Sequence, residues 1–298
     1  MKIPFRLWFA SVAVVALAFA REAPAGYPPV MEGARREIYK RVGETSLALW
    51  IFEPTAGPKT NRPAILFFFG GGWSSGSPSQ FEPQCRALAA RGMVAITADY
   101  RVASRQQAKA ADCVADAKSA VRWLRQNAAR LGLDPNRIAA GGGSAGGHIA
   151  AATLVPGFDT EGEALAVSCA PNALVLFNPA LVLAPIEGLE LKGFGVNLGP
   201  ERLGATALAL SPAHHIKRGL PPTIIFHGRA DTTVPFVTAE AYARVMQAAG
   251  NRCELVGFEG QTHGFFNFTR KEGKYAETLA AADAFLVSLG YLSAPATK

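Results

Sequence analysis

The 298-residue sequence is poor in cysteine: Cys85, Cys113, Cys169 and Cys253 lie far apart with no C-x-x-C pair, which argues against a zinc site. It also lacks any dense basic cluster. The formal net charge is +7, but the Lys and Arg residues are scattered, so they read as solvated surface, with attraction to acidic polysaccharide as the weaker alternative. No nucleic-acid partner is expected from such a pattern. No internal repeat or low-complexity block interrupts the chain. The apolar run from Leu7 to Phe19 falls short of the roughly 20 residues that span a bilayer.

That run is preceded by Lys2 and Arg6 and ends in Ala18-Phe19-Ala20, the layout of a cleaved signal peptide over residues 1–20. A secreted or periplasmic protein without membrane attachment after cleavage is the expectation, an uncleaved anchor being the alternative. No cysteine follows Ala20, which argues against a lipoprotein. Removing Lys2 and Arg6 lowers the formal charge from +7 to +5. Export permits disulfides, and four cysteines allow three complete pairings; buried free thiols fit the composition equally well.

Residues 21–36 read as an extended lead-in without chemistry, and 37–298 as one α/β domain with a single large core. Glu37 to Val42 and Ser46 to Phe52, around Gly43-Glu44, predict a hairpin of two edge strands. A continuous apolar run at 64–69 and further strands at 93–98, 137–143, 173–178, 223–226 and 253–258 predict a mainly parallel set. Between them lie helical patterns at 81–91, 111–131, 145–154 and 236–249, and a final helix at 274–289. The 111–131 pattern rests on apolar residues at 114, 117, 121, 124, 128 and 131. Residues 156–172 read as an irregular excursion, and Pro179 to Leu220 as a loop-rich insert over the site. The alternation predicts a mainly parallel sheet of about eight strands with helices on both faces and functional residues at the carboxyl ends of strands.

One such end is Gly142-Gly143-Ser144-Ala145-Gly146, a G-x-S-x-G turn between an apolar strand and an alanine-rich helix. A serine hydroxyl becomes a nucleophile only when a base takes its proton, and that base needs an acid to fix its tautomer. Chain order selects Asp231 and His263, each in a loop after a strand. For Asp231 the alternative is a cap on the following helix. Asp99 and Asp159 rank below it. His148 is expected to pack beside the sheet, whereas His214, His215 and His227 read as loop or strand-end hydrogen-bonders, with His214 or His215 able to line the pocket. Backbone amides of Gly71, Gly72 and Ala145 are the candidates for binding an oxyanion.

The chain resembles α/β-hydrolases of the carboxylesterase kind, nearest to hormone-sensitive-lipase-like esterases and the bacterial feruloyl and acetylxylan esterase-like group. The resemblance covers roughly residues 37 to 290 and rests on Phe69-Gly70-Gly71-Gly72-Trp73, the elbow at 142–146, His227-Gly228 leading to Asp231, and Thr262-His263-Gly264-Phe265. It implies ester hydrolysis without cofactor or metal, Ser144, Asp231 and His263 as triad, and Gly71, Gly72 and Ala145 as oxyanion donors. Phe69 stands where that family has a histidine bracing the oxyanion loop.

The reading is a secreted serine carboxylesterase acting on short-chain or aromatic acyl esters, with acetyl or feruloyl groups on polysaccharide as the favoured substrates. An amidase or peptidase of the same fold would need an extra domain for which this chain has no room. A non-catalytic binding module would not be expected to keep all three triad members in order.

Overall fold

The computed structural model describes residues 26–187, 189 and 198–294. The signal-peptide reading of residues 1–20 therefore lies outside the described residues, as does part of the 179–220 insert.

Eight strands form one sheet: β1 (Arg35–Val42), β2 (Thr45–Phe52), β3 (Arg62–Phe68), β4 (Val94–Ala98), β5 (Leu133–Gly143), β6 (Ala173–Phe177), β7 (Thr223–Gly228) and β8 (Cys253–Phe258). Their order across the sheet is β1-β2-β4-β3-β5-β6-β7-β8. β2 is antiparallel to both β1 and β4, and all other pairings are parallel. This corrects the expectation of two edge strands: β1 is an edge, but β2 is interior. The hairpin signal fixes only one partner of β2, and its other edge is taken by a strand some fifty residues away, Leu49 opposite Ala98. β1 also starts at Arg35, so the lead-in ends two residues earlier than expected.

The helices are α1 (Glu82–Ala90), α2 (Ala103–Gln106), α3 (Ala110–Gln126), α4 (Ala128–Leu131), α5 (Ala145–Ala152), α6 (Pro200–Leu203), α7 (Ala207–Leu210), α8 (Phe236–Ala248) and α9 (Tyr275–Ser288). The single helix expected over 111–131 breaks at Asn127, whose side-chain amide donates to the Trp123 carbonyl at 2.9 Å and competes with the backbone ladder.

Strand periodicity divides the core into two layers. Ala64, Leu66 and Phe68 of β3 face one cluster with α3, α5 and α8, while Ile65 and Phe67 face another with α1 and α9. β3, β4, β6 and β7 are buried along their whole length, which is why they read as unbroken apolar runs. All four cysteines are free thiols; Cys85, Cys113 and Cys253 are buried, and burial pushes the Cys253 thiol up to about 12. The 156–172 excursion is tied down by ion pairs from Arg122 to Asp159 at 2.6 Å and to Glu163 at 2.9 Å.

The strand order places the chemistry. Phe68 pairs with Gly142 and Gly143 with Phe177, so the segments leaving β3, β5 and β6 emerge side by side. β7 and β8 follow on one flank.

Candidate active site

Ser144 occupies the turn between β5 and α5 with φ 54° and ψ −120°, a conformation that non-glycine residues adopt only under strain. Its amide donates to the Phe177 carbonyl at 2.9 Å, so the sheet itself holds the turn. The tight approach needs glycine at 146, where a Cβ would fall 2.1 Å from the Phe68 carbonyl oxygen.

Ser144 Oγ lies 2.9 Å from His263 Nε2, and His263 Nδ1 lies 2.7 Å from Asp231 Oδ2. A carboxylate only accepts, so Nδ1 carries the proton and donates, leaving Nε2 to accept from the serine hydroxyl. Asp231 does not cap α8, whose N-cap is Pro235. Its Oδ1 instead accepts from the Thr233 and Val234 amides, each at 2.9 Å, which turns the loop so that Oδ2 faces the imidazole. His227 Nε2 donates to the Val234 carbonyl at 2.8 Å and leans on Asp231 Oδ2 at 3.3 Å. Burial raises the pKa of the Asp231 carboxyl, but hydrogen bonds from His227, His263 and the Val234 amide outweigh it and hold the group well below the usual carboxylate range.

The glycine loop after β3 lies against the elbow: a Cβ built on Gly70 would sit 3.4 Å from Ser144 Cβ. The Ser74 and Ser75 amides close back on the Gly71 carbonyl at 3.0 and 3.1 Å. Gly71 has φ +126°, and a Cβ there would strike the Ser75 carbonyl oxygen at 2.2 Å, so only glycine makes this turn. Among the described residues nothing accepts from the Gly71 or Gly72 amide. Ala145 is the first residue of α5, where backbone amides have no intrahelical partner and the helix dipole is positive.

The loop has several anchors that sequence reading missed. The Tyr100 hydroxyl donates to the Phe69 carbonyl at 2.6 Å, and its ring stacks on Phe69 with centroids 4.1 Å apart. The Gly70 amide donates to Gln80 Oε1 at 2.6 Å. Arg105 Nη1 donates to the Gly76 carbonyl at 2.8 Å, with its guanidinium 4.0 Å from the Tyr27 ring centroid. The brace is thus both packed and hydrogen-bonded, the bond reaching residue 69 through its main chain.

The remaining candidates sit elsewhere. His148 is fully buried, donates from Nε2 to the Leu210 carbonyl at 2.9 Å and accepts from Trp73 Nε1 at 3.1 Å; burial pushes it down to about 4. It joins the elbow helix to the glycine loop and the insert, and its ring nitrogens are occupied away from Ser144. His214 contacts Ser211 and the Pro185 carbonyl, and His215 the Ala209 carbonyl, all within the insert. Asp99 accepts from the Tyr27 hydroxyl and the Tyr100 amide, which gives the lead-in a structural task it was not expected to have. Asp159 belongs to the ion pairs of the excursion. Among the described residues no group of three His, Cys, Asp or Glu could hold a metal ion.

A hydroxyl bonded to an imidazole that a carboxylate orients can shed its proton as it attacks a carbonyl, and free amides beside it can receive the resulting oxyanion. Comparisons with known proteins meet this geometry. Esterase 2 of Thermogutta terrifontis, phosphonylated by sarin, is 53% identical, superposes with a TM-score of 0.86 and covers 90% of this chain and 99% of that one. The propionate-bound form of that esterase is 55% identical with a TM-score of 0.84, over 90% and 99% of the two chains. The carboxylesterase NlhH of Mycobacterium tuberculosis is 29% identical over 281 residues, 89% of this chain and 86% of the relative. A family model of the α/β-hydrolase fold matches residues 65–267. Most of the chain is thereby accounted for: it belongs to the α/β-hydrolase family and is a carboxylic ester hydrolase of the serine type.

Proposed function

We propose that the protein hydrolyses esters of short carboxylic acids through an acyl-enzyme on Ser144, with Asp231 and His263 completing the triad. The continuous path from Asp231 through His263 to Ser144, at 2.7 and 2.9 Å, carries this reading. As Ser144 Oγ attacks the ester carbonyl, its proton passes to His263 Nε2, and the imidazolium is stabilised by Asp231. The amides of Gly71, Gly72 and Ala145 receive the oxyanion, each worth roughly 3 kcal/mol when aligned. His263 then protonates the departing alcohol, and water repeats the cycle on the acyl-enzyme. Propionate bound to the Thermogutta esterase supports a short acyl group.

For the alcohol we favour a carbohydrate. A cavity of about 360 Å³ lies between the glycine loop and the segment after His263, and Ser77, Ser79 and Thr269 contribute uncharged polar groups to it. Phe268, 62% exposed, adds an apolar surface at its edge. Neutral donors and acceptors beside an aromatic ring suit a sugar better than an ionic or purely apolar alcohol. The leader layout of residues 1–20 supports export to where such polymers occur.

A fluorophosphonate probe should label the wild type and not Ser144→Ala, whose kcat should fall on the order of 10⁶-fold; full labelling of the variant would remove Ser144 as nucleophile. A panel of p-nitrophenyl butyrate, acetylated xylan, methyl ferulate and a peptide anilide tests the substrate. Turnover of the alkyl ester with none of acetylated xylan would leave the esterase and remove the carbohydrate. Preference for methyl ferulate or for the anilide would favour the aromatic-acyl or the amidase reading. N-terminal sequencing of protein recovered outside the cytoplasm should begin at Arg21; intact Met1 there would overturn cleavage.

A further inference from the structure

Three side-chain carboxamides form an unbroken hydrogen-bonded path between the histidine loop and the glycine loop. Asn178, immediately after β6, is fully buried with φ 34°. Its Oδ1 accepts from the Gly264 amide at 3.1 Å, and its Nδ2 faces His263 Nε2 at 3.5 Å. The Gly264 carbonyl accepts from Asn267 Nδ2 at 2.8 Å. Asn267 Oδ1 accepts from Gln80 Nε2 at 2.9 Å, and Gln80 Oε1 accepts from the Gly70 amide at 2.6 Å.

The polarity of the path is set at both ends. A backbone amide can only donate, so Gln80 must turn its oxygen to Gly70 and is left with its NH₂ for Asn267. A backbone carbonyl can only accept, so Asn267 must turn its NH₂ to Gly264 and is left with its oxygen for Gln80. The two requirements meet in the middle without conflict, and no charge is involved.

We propose that Gln80 and Asn267 are positioning residues that act as one unit, setting the distance between His263 and the oxyanion-binding amides that follow Gly70. The proposal rests on the assignment of His263 and the glycine loop made above. The two loops come from opposite flanks of the serine strand, β3 on one side and β8 beyond β6 and β7 on the other, and no strand pairing joins β3 directly to β8. Catalysis needs both within a fraction of an ångström of their working places relative to Ser144. A Gly70 amide held by an isolated glutamine would be anchored only to the short 3-10 turn Pro78–Phe81 that precedes α1; held through Asn267, it is anchored to the residue beside the general base.

The test uses near-isosteric variants of the full chain, Gln80→Met and Asn267→Leu, singly and together, assayed on p-nitrophenyl butyrate with thermal melting in parallel. Each single variant should lower kcat about tenfold, the size expected when loss of one hydrogen bond loosens a transition-state contact, with KM within about twofold. The double variant should be no slower than the slower single, because breaking either link uncouples the loops. Wild-type kcat in Asn267→Leu would show that Gln80 acts on Gly70 alone and would overturn the unit. Multiplying losses in the double variant, or losses that follow melting temperature with KM rising in step, would overturn it as well. If either variant fails to fold, Gln80→Ala and Asn267→Ser carry the same comparison. Failure of the proposal leaves Ser144→Ala inactive and Asn267→Leu fully active, whereas failure of the triad assignment leaves Ser144→Ala active.

Discussion

Tyr100 holds Phe69 twice, through a 2.6 Å hydrogen bond to its carbonyl and through ring stacking at 4.1 Å. Both residues are fully buried, so the hydroxyl and the carbonyl have no water to replace each other. Tyr100→Phe keeps the stack and orphans the carbonyl, a change costing about 1–3 kcal/mol. Phe69→Ala keeps the bond and loses the stack, costing about 3–5 kcal/mol of stability. If the hydrogen bond sets the loop, Tyr100→Phe should lower kcat by about tenfold with a modest drop in Tm, and Phe69→Ala should lower Tm more than kcat. The reverse ranking would make the packed ring the brace.

Asp231→Asn separates two tasks of one side chain. An asparagine Oδ1 can still accept from the Thr233 and Val234 amides, now at 2.9 Å each, so the loop should keep its shape. Its NH₂ would face His263 Nδ1 and force the proton onto Nε2, where Ser144 can no longer donate. The expected outcome is a kcat loss of about 10⁴ with Tm close to wild type. Near-normal turnover with a large loss of Tm would make Asp231 a loop strut.

The sheet was legible because its central strands are buried on both faces and read as apolar runs, each closed by a turn. Ser144, Asp231 and His263 could be proposed together on position: each lies in the segment after a strand, where functional groups gather. Tyr100 and Asn178 also follow buried strands, but no motif marks them, and Gln80 and Asn267 lie several residues beyond a strand end. The contacts that give them a task reach far along the chain, 31 residues from Tyr100 to Phe69, 86 from Asn178 to Gly264 and 187 from Gln80 to Asn267. No period links a side chain to a backbone group across the sheet; only the strand order brings them together. β2 was misplaced for a related reason, since a hairpin reveals a neighbour on one edge only.

Gly71→Ala tests the turn that aims the candidate oxyanion donors. The new Cβ would lie 2.2 Å from the Ser75 carbonyl oxygen at a φ of +126°, so the loop must move. Loss of one aligned donor costs on the order of 10² to 10³ in kcat. We expect a fall of that size with Ser144, His263 and the fold intact, read as slower fluorophosphonate labelling at unchanged Tm within a few degrees. Wild-type labelling would place the oxyanion donors outside this turn.

Asp99 and His148 couple stability to pH in opposite directions over one interval. Burial pushes the Asp99 carboxyl up to about 6 against the hydrogen bond from Tyr27 and the charge of Arg105, and burial pushes His148 down to about 4. Unfolded His148 takes its proton near 6.5, so on acidification from there to about 4 the unfolded chain binds more protons and stability falls. Folded Asp99 takes its proton near 6 and the unfolded side chain only near 3.8, so across nearly the same interval the folded chain binds more and stability rises. Each contribution is on the order of 3 kcal/mol, so they largely offset. Wild-type Tm should therefore change little between about pH 6.5 and 4.5. Asp99→Asn removes the rising contribution and should make Tm fall steeply on acidification, whereas His148→Gln should make it rise. A pH series of melting curves decides: if Asp99→Asn runs parallel to wild type, the Asp99 carboxyl is not titrating near 6, and the Tyr27 and Arg105 contacts outweigh its burial.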